Sequence, residues 1–558
     1  MTPKSVLAQL EANINFAGTG GHASRRASHQ TIMFKKTLAF LAAFSLSGIA
    51  SLHADVRMPA IFTDNMVLQR GVNVPVWGFA ADGEQVTVSY KSQRVSTKAK
   101  DGKWMVTLKS LRVGSPGELT IDGRNRIELK NVVVGEVWIC SGQSNMQWEM
   151  NRAGKEAQAE IENSRNFDLR LFHVERNKSD KPLADLDMPW NQGKFGWQLS
   201  GNQATHSFSA VAYYFGKKLQ ADLKVPVGLI HTSWGGSPIE VWMNEETLRS
   251  HSEATDYFTL QQGDYRKASM DYIKAIRDYE RAVKAGDKKA KKPRQPRAPW
   301  NPTELYNAMI HPLLPFASKG AIWYQGESNA SRAWQYRSLL PDMIKQWRSE
   351  FGQSDWTFLI VQLAPFDWAH RGKEKRDLEA IAEKPEEGEF AELREAQSLT
   401  ADRDTKAGIV VITDYGDPHD IHPLPKHPVG ERLALAARGI AYKEKGLTYS
   451  GPTYKTMKYV KNKAGSDKIA IRFDHVGKGL VAKGDALKGF AICGEDKDWK
   501  WADAEIVGDT VEVSHAEIEK PEAVRYGWAD HPVCNLFNKD GLPASPFRTD
   551  KYELTTQK

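Results

Sequence analysis

The sequence predicts an α/β fold, a parallel sheet covered by helices on both faces and flanked by β-sandwich regions. Three observations carry this. Between about residues 136 and 445, short continuously apolar segments alternate with longer helical patterns, as buried parallel strands and their crossover helices do. Residues 55–135 instead alternate apolar and polar positions between tight turns, the pattern of antiparallel strands. Short strand patterns return over 446–558, which predicts a C-terminal β domain.

The elements follow in order. In 55–135 the segments VTVSY, KWMVTL, ELTI and RIELKNVVV are separated by breaks such as AADGE and KDGK. GEVWICS then opens the α/β region as a strand. Residues 210–223 read as a helix, 225–233 as a strand, 304–317 as a helix and 320–325 as a strand. A helix over 336–351, strands over 356–366 and 408–416 and a helix over 429–442 complete the 136–445 domain. The polar stretch 245–300 interrupts this rhythm and predicts an inserted helical hairpin with a mobile basic loop, while 371–390 predicts a long surface loop.

Composition narrows the function. With 558 residues, 41% hydrophobic and 26% charged, the chain is an ordinary globular sequence, neither collagen-like nor disordered. The net charge of +7 does not indicate nucleic acid: residues 1–54 carry +4, the run 284–297 carries +6, and the remainder is negative. From Met33, two lysines precede an apolar run over 38–52 and then Ala54. This is the layout of a secretory signal peptide cleaved after Ala54, preceded by an upstream extension. The mature chain is therefore expected to be exported, periplasmic or extracellular, with no membrane contact. Three cysteines make no disulfide framework. Cys493 and Cys534 are the pair able to bridge, and Cys140 reads as a buried thiol. No metal-ligand spacing occurs, so no structural zinc is expected.

Four segments carry chemistry. Strand GEVWICS runs into Gly142-Gln143-Ser144-Asn145, placing a serine hydroxyl on a turn at a strand's carboxyl end, though such serines more often cap helices. Trp234-Gly235-Gly236-Ser237 follows a buried strand and lets the backbone approach a ligand with an N–H free to point at it. Gln325, ending the next strand, offers an amide to an oxyanion, and Glu327 and Asn329 follow it. The loop Asp414-Tyr-Gly-Asp417-Pro-His419-Asp420-Ile-His422 supplies a candidate general base, His422, with Asp420 or Asp417 to hold its tautomer. Jointly they provide nucleophile, oxyanion donors and acid–base pair.

The segments VWICSGQSNMQW, HTSWGGSPIEVW, AIWYQGESNA and DPHDIHPLPKHPVGERLALAA resemble the sialate O-acetylesterases of the SGNH hydrolase superfamily, over about residues 55–550. The resemblance implies a flavodoxin-like three-layer SGNH domain and a serine esterase that removes acetyl groups from carbohydrate. In it Ser144 is the nucleophile, His422 the base and Asp420 its orienter; Ser144, Gly235 and Gln325 are the oxyanion donors. Trp148, Trp234, Glu327 and Asn329 are candidate substrate contacts, and Trp242, Trp323 and Trp334 lie near the same motifs. No metal or organic cofactor is implied. Two departures stand out: Gln325 replaces a common Asn, and His419 occupies the position three before the base where an Asp is usual. The expected partner is an acetylated mono- or oligosaccharide. The alternatives are an acetylated plant hemicellulose as substrate, or a non-catalytic carbohydrate-binding protein.

Overall fold

The computed structural model describes residues 55–188, 196–461 and 467–557; the expected signal peptide and upstream extension lie outside the described residues. Residues 55–254 and 302–558 form one compact unit, and 255–301 belongs to another.

The first unit is built on a mixed sheet of eleven strands. Its centre runs in the order Ala407–Val410, Thr357–Val361, Gly320–Tyr324, Arg126–Gly142, Val227–Ser233, Asn166–His173, all parallel, with Gln198–Ser200 antiparallel at the edge. The strands Gly320–Tyr324 and Thr357–Val361 are buried at every position, as their unbroken apolar sequences require. Alternate side chains feed two cores. Ile322, Tyr324 and Leu359 pack with the helices Ala210–Leu223 and His427–Ile440. Trp323 points the other way, 5.8 Å from the Trp347 ring on helix Ala333–Glu350. Helices therefore cover both faces.

The expected boundary at 135/136 falls inside one strand. Arg126–Gly142 is 17 residues long. Its first half pairs antiparallel with Gly117–Asp122, which continues through Gln85–Tyr90 to Gln93–Lys98. Its second half, buried throughout, is the middle of the parallel sheet. The change from alternating to continuous apolar residues marks a change of neighbours, not a linker. Beyond 446, two four-stranded antiparallel sheets share a core that includes Ile469, Val511, Phe490, Val524 and Phe547. Cys140, Cys493 and Cys534 are all free thiols, so the possible Cys493–Cys534 bridge is not formed.

Two further expectations need correction. The 245–300 insertion holds no hairpin: Ser252–Lys284 is a single 33-residue helix, and no helix or strand follows it as far as 301. Gly263 alone does not end a helix, whereas Pro293 and Pro296, each lacking a backbone N–H and clashing with the turn before it, keep a second helix from running through this stretch. The expected 304–317 helix is instead a π-helical turn, Tyr306–Ile310, and a 3-10 turn, His311–Leu313. No helix among the described residues is long and apolar enough to cross a membrane.

Candidate active site

Strand register assembles the site. Gly142 is the Cα partner of both Ser233 and Tyr324, so three strands end at one level. The turns that follow, Gln143-Ser144, Trp234-Gly235 and Gln325-Gly326, therefore start side by side. They are tied together by Trp234 N donating to the Gly142 carbonyl at 3.1 Å and Gln143 N donating to the Tyr324 carbonyl at 3.0 Å. Gly142 has φ +140°, and a Cβ there would stand 2.2 Å from the Tyr324 carbonyl oxygen. Gly142→Ala is expected to cost more than about 2 kcal/mol of stability, read as a lowered denaturation midpoint, because neither backbone can move without parting the sheet.

Ser144 opens the short helix Ser144–Gln147 and is partly exposed. The histidine loop arrives from the Ala407–Val410 strand and is anchored by Arg432, which grips Asp414 through two hydrogen bonds of 2.7 Å. It meets the Ser144 turn directly. Asn145 Nδ2 donates to the Ile421 carbonyl at 3.0 Å, and the Trp148 indole stacks on the His422 ring with centroids 4.9 Å apart. Residues 144 and 422, far apart in sequence, thus share one end of the sheet. Among the described residues neither the Ser144 hydroxyl nor His422 Nε2 makes a hydrogen bond, so the direct link is open in this conformation. Such links commonly close only with substrate in place.

His422 Nδ1 lies 3.5 Å from Asp420 Oδ1, which also accepts the His422 backbone N–H at 2.9 Å. Asp417 turns its carboxylate to the backbone of His419 and Asp420 instead, at 2.7 and 3.2 Å. Of the two carboxylates weighed for orienting the base, Asp420 is the one beside it. Burial, then the Lys426 cation, lowers the His422 pKa from the ordinary imidazole value.

The structure places other expected residues differently. Gln325 is fully buried, and its amide nitrogen donates to the Ser237 carbonyl at 3.2 Å and to Asn329 Oδ1 at 2.8 Å, while its oxygen accepts from Tyr336 at 2.7 Å. Both amide protons are committed, so none faces an oxyanion here. Asn329 is also fully buried, between Ile239 N, Gln325 and Glu240. Glu327 is buried against Asn145. Both are braces inside the fold rather than surfaces for a sugar. Gly235 lies against Ser144, and its N–H donates to Gln147 Oε1 at 2.6 Å. Trp148 and Trp234 are half-buried, with Arg152 over the first ring at 4.0 Å and Arg176 over the second at 5.8 Å. Trp242 and Trp323 belong to the core, and Trp334 is exposed under Arg337.

Sequence reasoning missed Gln147, Asn145 and Lys426. Lys426 is 1% exposed and donates to Asn145 Oδ1 at 2.6 Å. Its place before helix His427–Ile440, where a cation opposes the helix dipole, was the available signal. No group of side chains able to hold a metal ion is present among the described residues.

The chain is similar to known carbohydrate esterases. The family model for carbohydrate esterase, sialic acid-specific acetylesterase, matches residues 134–276 and 294–406. The sialate O-acetylesterase of Mus musculus is 29% identical over 534 residues, covering 88% of this chain and 93% of its own. That of Homo sapiens is 28% identical over 536 residues, covering 88% and 92%. The crystal structure of a carbohydrate acetylesterase from Xanthomonas citri superposes with a TM-score of 0.73 at 35% identity, covering 89% of this chain and 100% of that one.

Proposed function

We infer that this chain, which belongs to the sialate O-acetylesterase family of carbohydrate esterases and is thus a carboxylic ester hydrolase, removes O-acetyl groups from an acidic sugar by a Ser-His-Asp mechanism of the SGNH type. The observation that carries the reading is the register at Gly142, which lines up the turns of Ser144, Gly235 and Gln325 beneath the His422 loop. His422 takes the Ser144 proton as its oxygen attacks the acetyl carbonyl. Charge that develops on the carbonyl oxygen is met by the N–H groups of Ser144 and of Gly235, the latter once Gln147 releases it. Each donor is worth about 3 kcal/mol of barrier. Gln325 becomes a third donor only by leaving Ser237 and Asn329. The bond from the carbonyl carbon to the sugar oxygen then breaks, and His422 gives its proton to the departing hydroxyl. Water, deprotonated by the same imidazole, releases acetate from Ser144. Asp420 holds His422 in the tautomer this needs.

The substrate class rests on Arg152. Its exposed guanidinium stacks on Trp148, which stacks on His422, and no carboxylate among the described residues pairs with it. A sugar acid bound at Ser144 brings its own carboxylate to that charge. Acetate release from O-acetylated sialic acid and from acetylated xylan and xyloglucan, at equal ester concentration, tests this. Arg152→Met is expected to raise KM about tenfold for the acidic sugar and, above neutral pH where His422 is already the free base, to leave turnover of 4-nitrophenyl acetate nearly unchanged. Preference for hemicellulose, with no effect of Arg152→Met on KM, would transfer the assignment to neutral polysaccharide. Residues 33–54 support an exported protein, cleaved after Ala54, which N-terminal sequencing of the mature chain checks.

A further inference from the structure

We propose that Lys426 is a positioning residue for this hydrolysis: through Asn145 it locks the nucleophile turn to the histidine loop, so that Ser144 and His422 meet in register for proton transfer. The proposal rests on the esterase reading of Ser144 and His422 and names the device that holds them.

The geometry is a buried chain across three loops. Asn145, directly after Ser144, is fully buried. Its amide nitrogen donates to Glu327 Oε1 at 2.7 Å and to the Ile421 carbonyl at 3.0 Å, and its oxygen accepts from Lys426 at 2.6 Å. One side chain thus spans the serine turn, the turn after Gly320–Tyr324 and the residue preceding His422. Asn145 can serve all three only with its amide in this orientation, and Lys426, a donor with no acceptor, enforces it. The Lys426 ammonium lies 5.7 Å from the Trp148 ring, which packs on His422, and 5.9 Å from the Tyr324 ring. A methionine would fill this space without the cost of burying a cation at a helix N-terminus. That cost is offset by what the charge holds in place.

The same placement gives an electrostatic reading. Glu327 and Asp420 are the anions that act on Lys426, yet burial pulls its pKa down to about 7. His422 in turn feels Lys426 and Arg152 as cations and Asp420 as an anion. Below neutral pH Lys426 is charged and opposes protonation of the base, so removing it raises the pKa of His422.

The test compares Lys426→Met, Lys426→Arg and Asn145→Ala with wild type and Ser144→Ala, using 4-nitrophenyl acetate across pH 5–9 and thermal melting. Lys426→Met is expected to lower kcat about fiftyfold with KM within about threefold, because a small displacement of the reacting groups suffices for such a loss. Its acid limb in kcat/KM moves to higher pH, whereas a purely structural lesion would leave the limb in place. Lys426→Arg, which keeps the charge, recovers most of the loss, and Asn145→Ala reproduces the fall in kcat from the other end of the chain. If Lys426→Met does not fold, the Asn145→Ala and Lys426→Arg results decide. Near-wild-type kcat in either Lys426→Met or Asn145→Ala, with Ser144→Ala inactive, overturns the proposal alone. Near-wild-type turnover in Ser144→Ala overturns the esterase reading and the proposal with it.

Discussion

Ser144→Ala is expected to reduce turnover of 4-nitrophenyl acetate by at least about a thousandfold, with no more than a small change in melting temperature. The hydroxyl carries no hydrogen bond that the fold depends on, and the side chain is partly exposed, so its removal leaves packing intact. The backbone N–H groups of Ser144 and Gly235 survive the substitution, and they set the residual rate. Acetate release and the burst of 4-nitrophenol, measured on the same preparation, separate loss of the acyl-enzyme from loss of binding. Turnover close to wild type would remove Ser144 from the mechanism and with it the meaning of the three aligned turns.

The second large effect is at His422. His422→Ala is expected to lower kcat/KM by about three to four orders of magnitude and to erase the acid limb of its pH profile. The sign follows from the surroundings of the ring. Burial and the neighbouring lysine both disfavour imidazolium, so the free base persists to lower pH than in water. A general base works in its neutral form. In wild type, kcat/KM should therefore rise with pH through a midpoint below the ordinary imidazole value of about 6.5 and stay level above it. A midpoint above that value, or an acid limb that survives in His422→Ala, would assign the base to another group.

Much of this was legible in the primary structure, for a physical reason. The helix at 210–223 appears with the boundaries that its apolar spacing predicts, and the structure adds Ser209 as its cap, accepting from Ala212 N. The parallel strands read plainly because residues buried on both sides leave no polar punctuation. The candidate turns at strand ends are local features as well: a glycine that must tolerate φ +140°, a serine after it, a histidine two residues beyond an aspartate. What stayed hidden depends on partners distant in sequence. Gln325, Glu327 and Asn329 look like surface chemistry in a polar motif, yet each is buried by Ser237, Asn145 or Ile239 from other loops. The strand Asn166–His173 was passed over because Asn166, Asp168, Arg170 and His173 break its apolar run; Arg170 is buried by hydrogen bonds to the backbone of Asn65 and Asn131, more than 35 residues away.

The strand that leads into Ser144 is also the last strand of the preceding antiparallel sheet. The two regions consequently stand or fall together, and the N-terminal segment is a foundation rather than an appendage. Excising it would strip hydrogen-bond partners from half of a 17-residue strand and leave a raw edge open to pairing with other chains, so this enzyme cannot be trimmed to a portable hydrolytic cassette beginning at the first parallel strand.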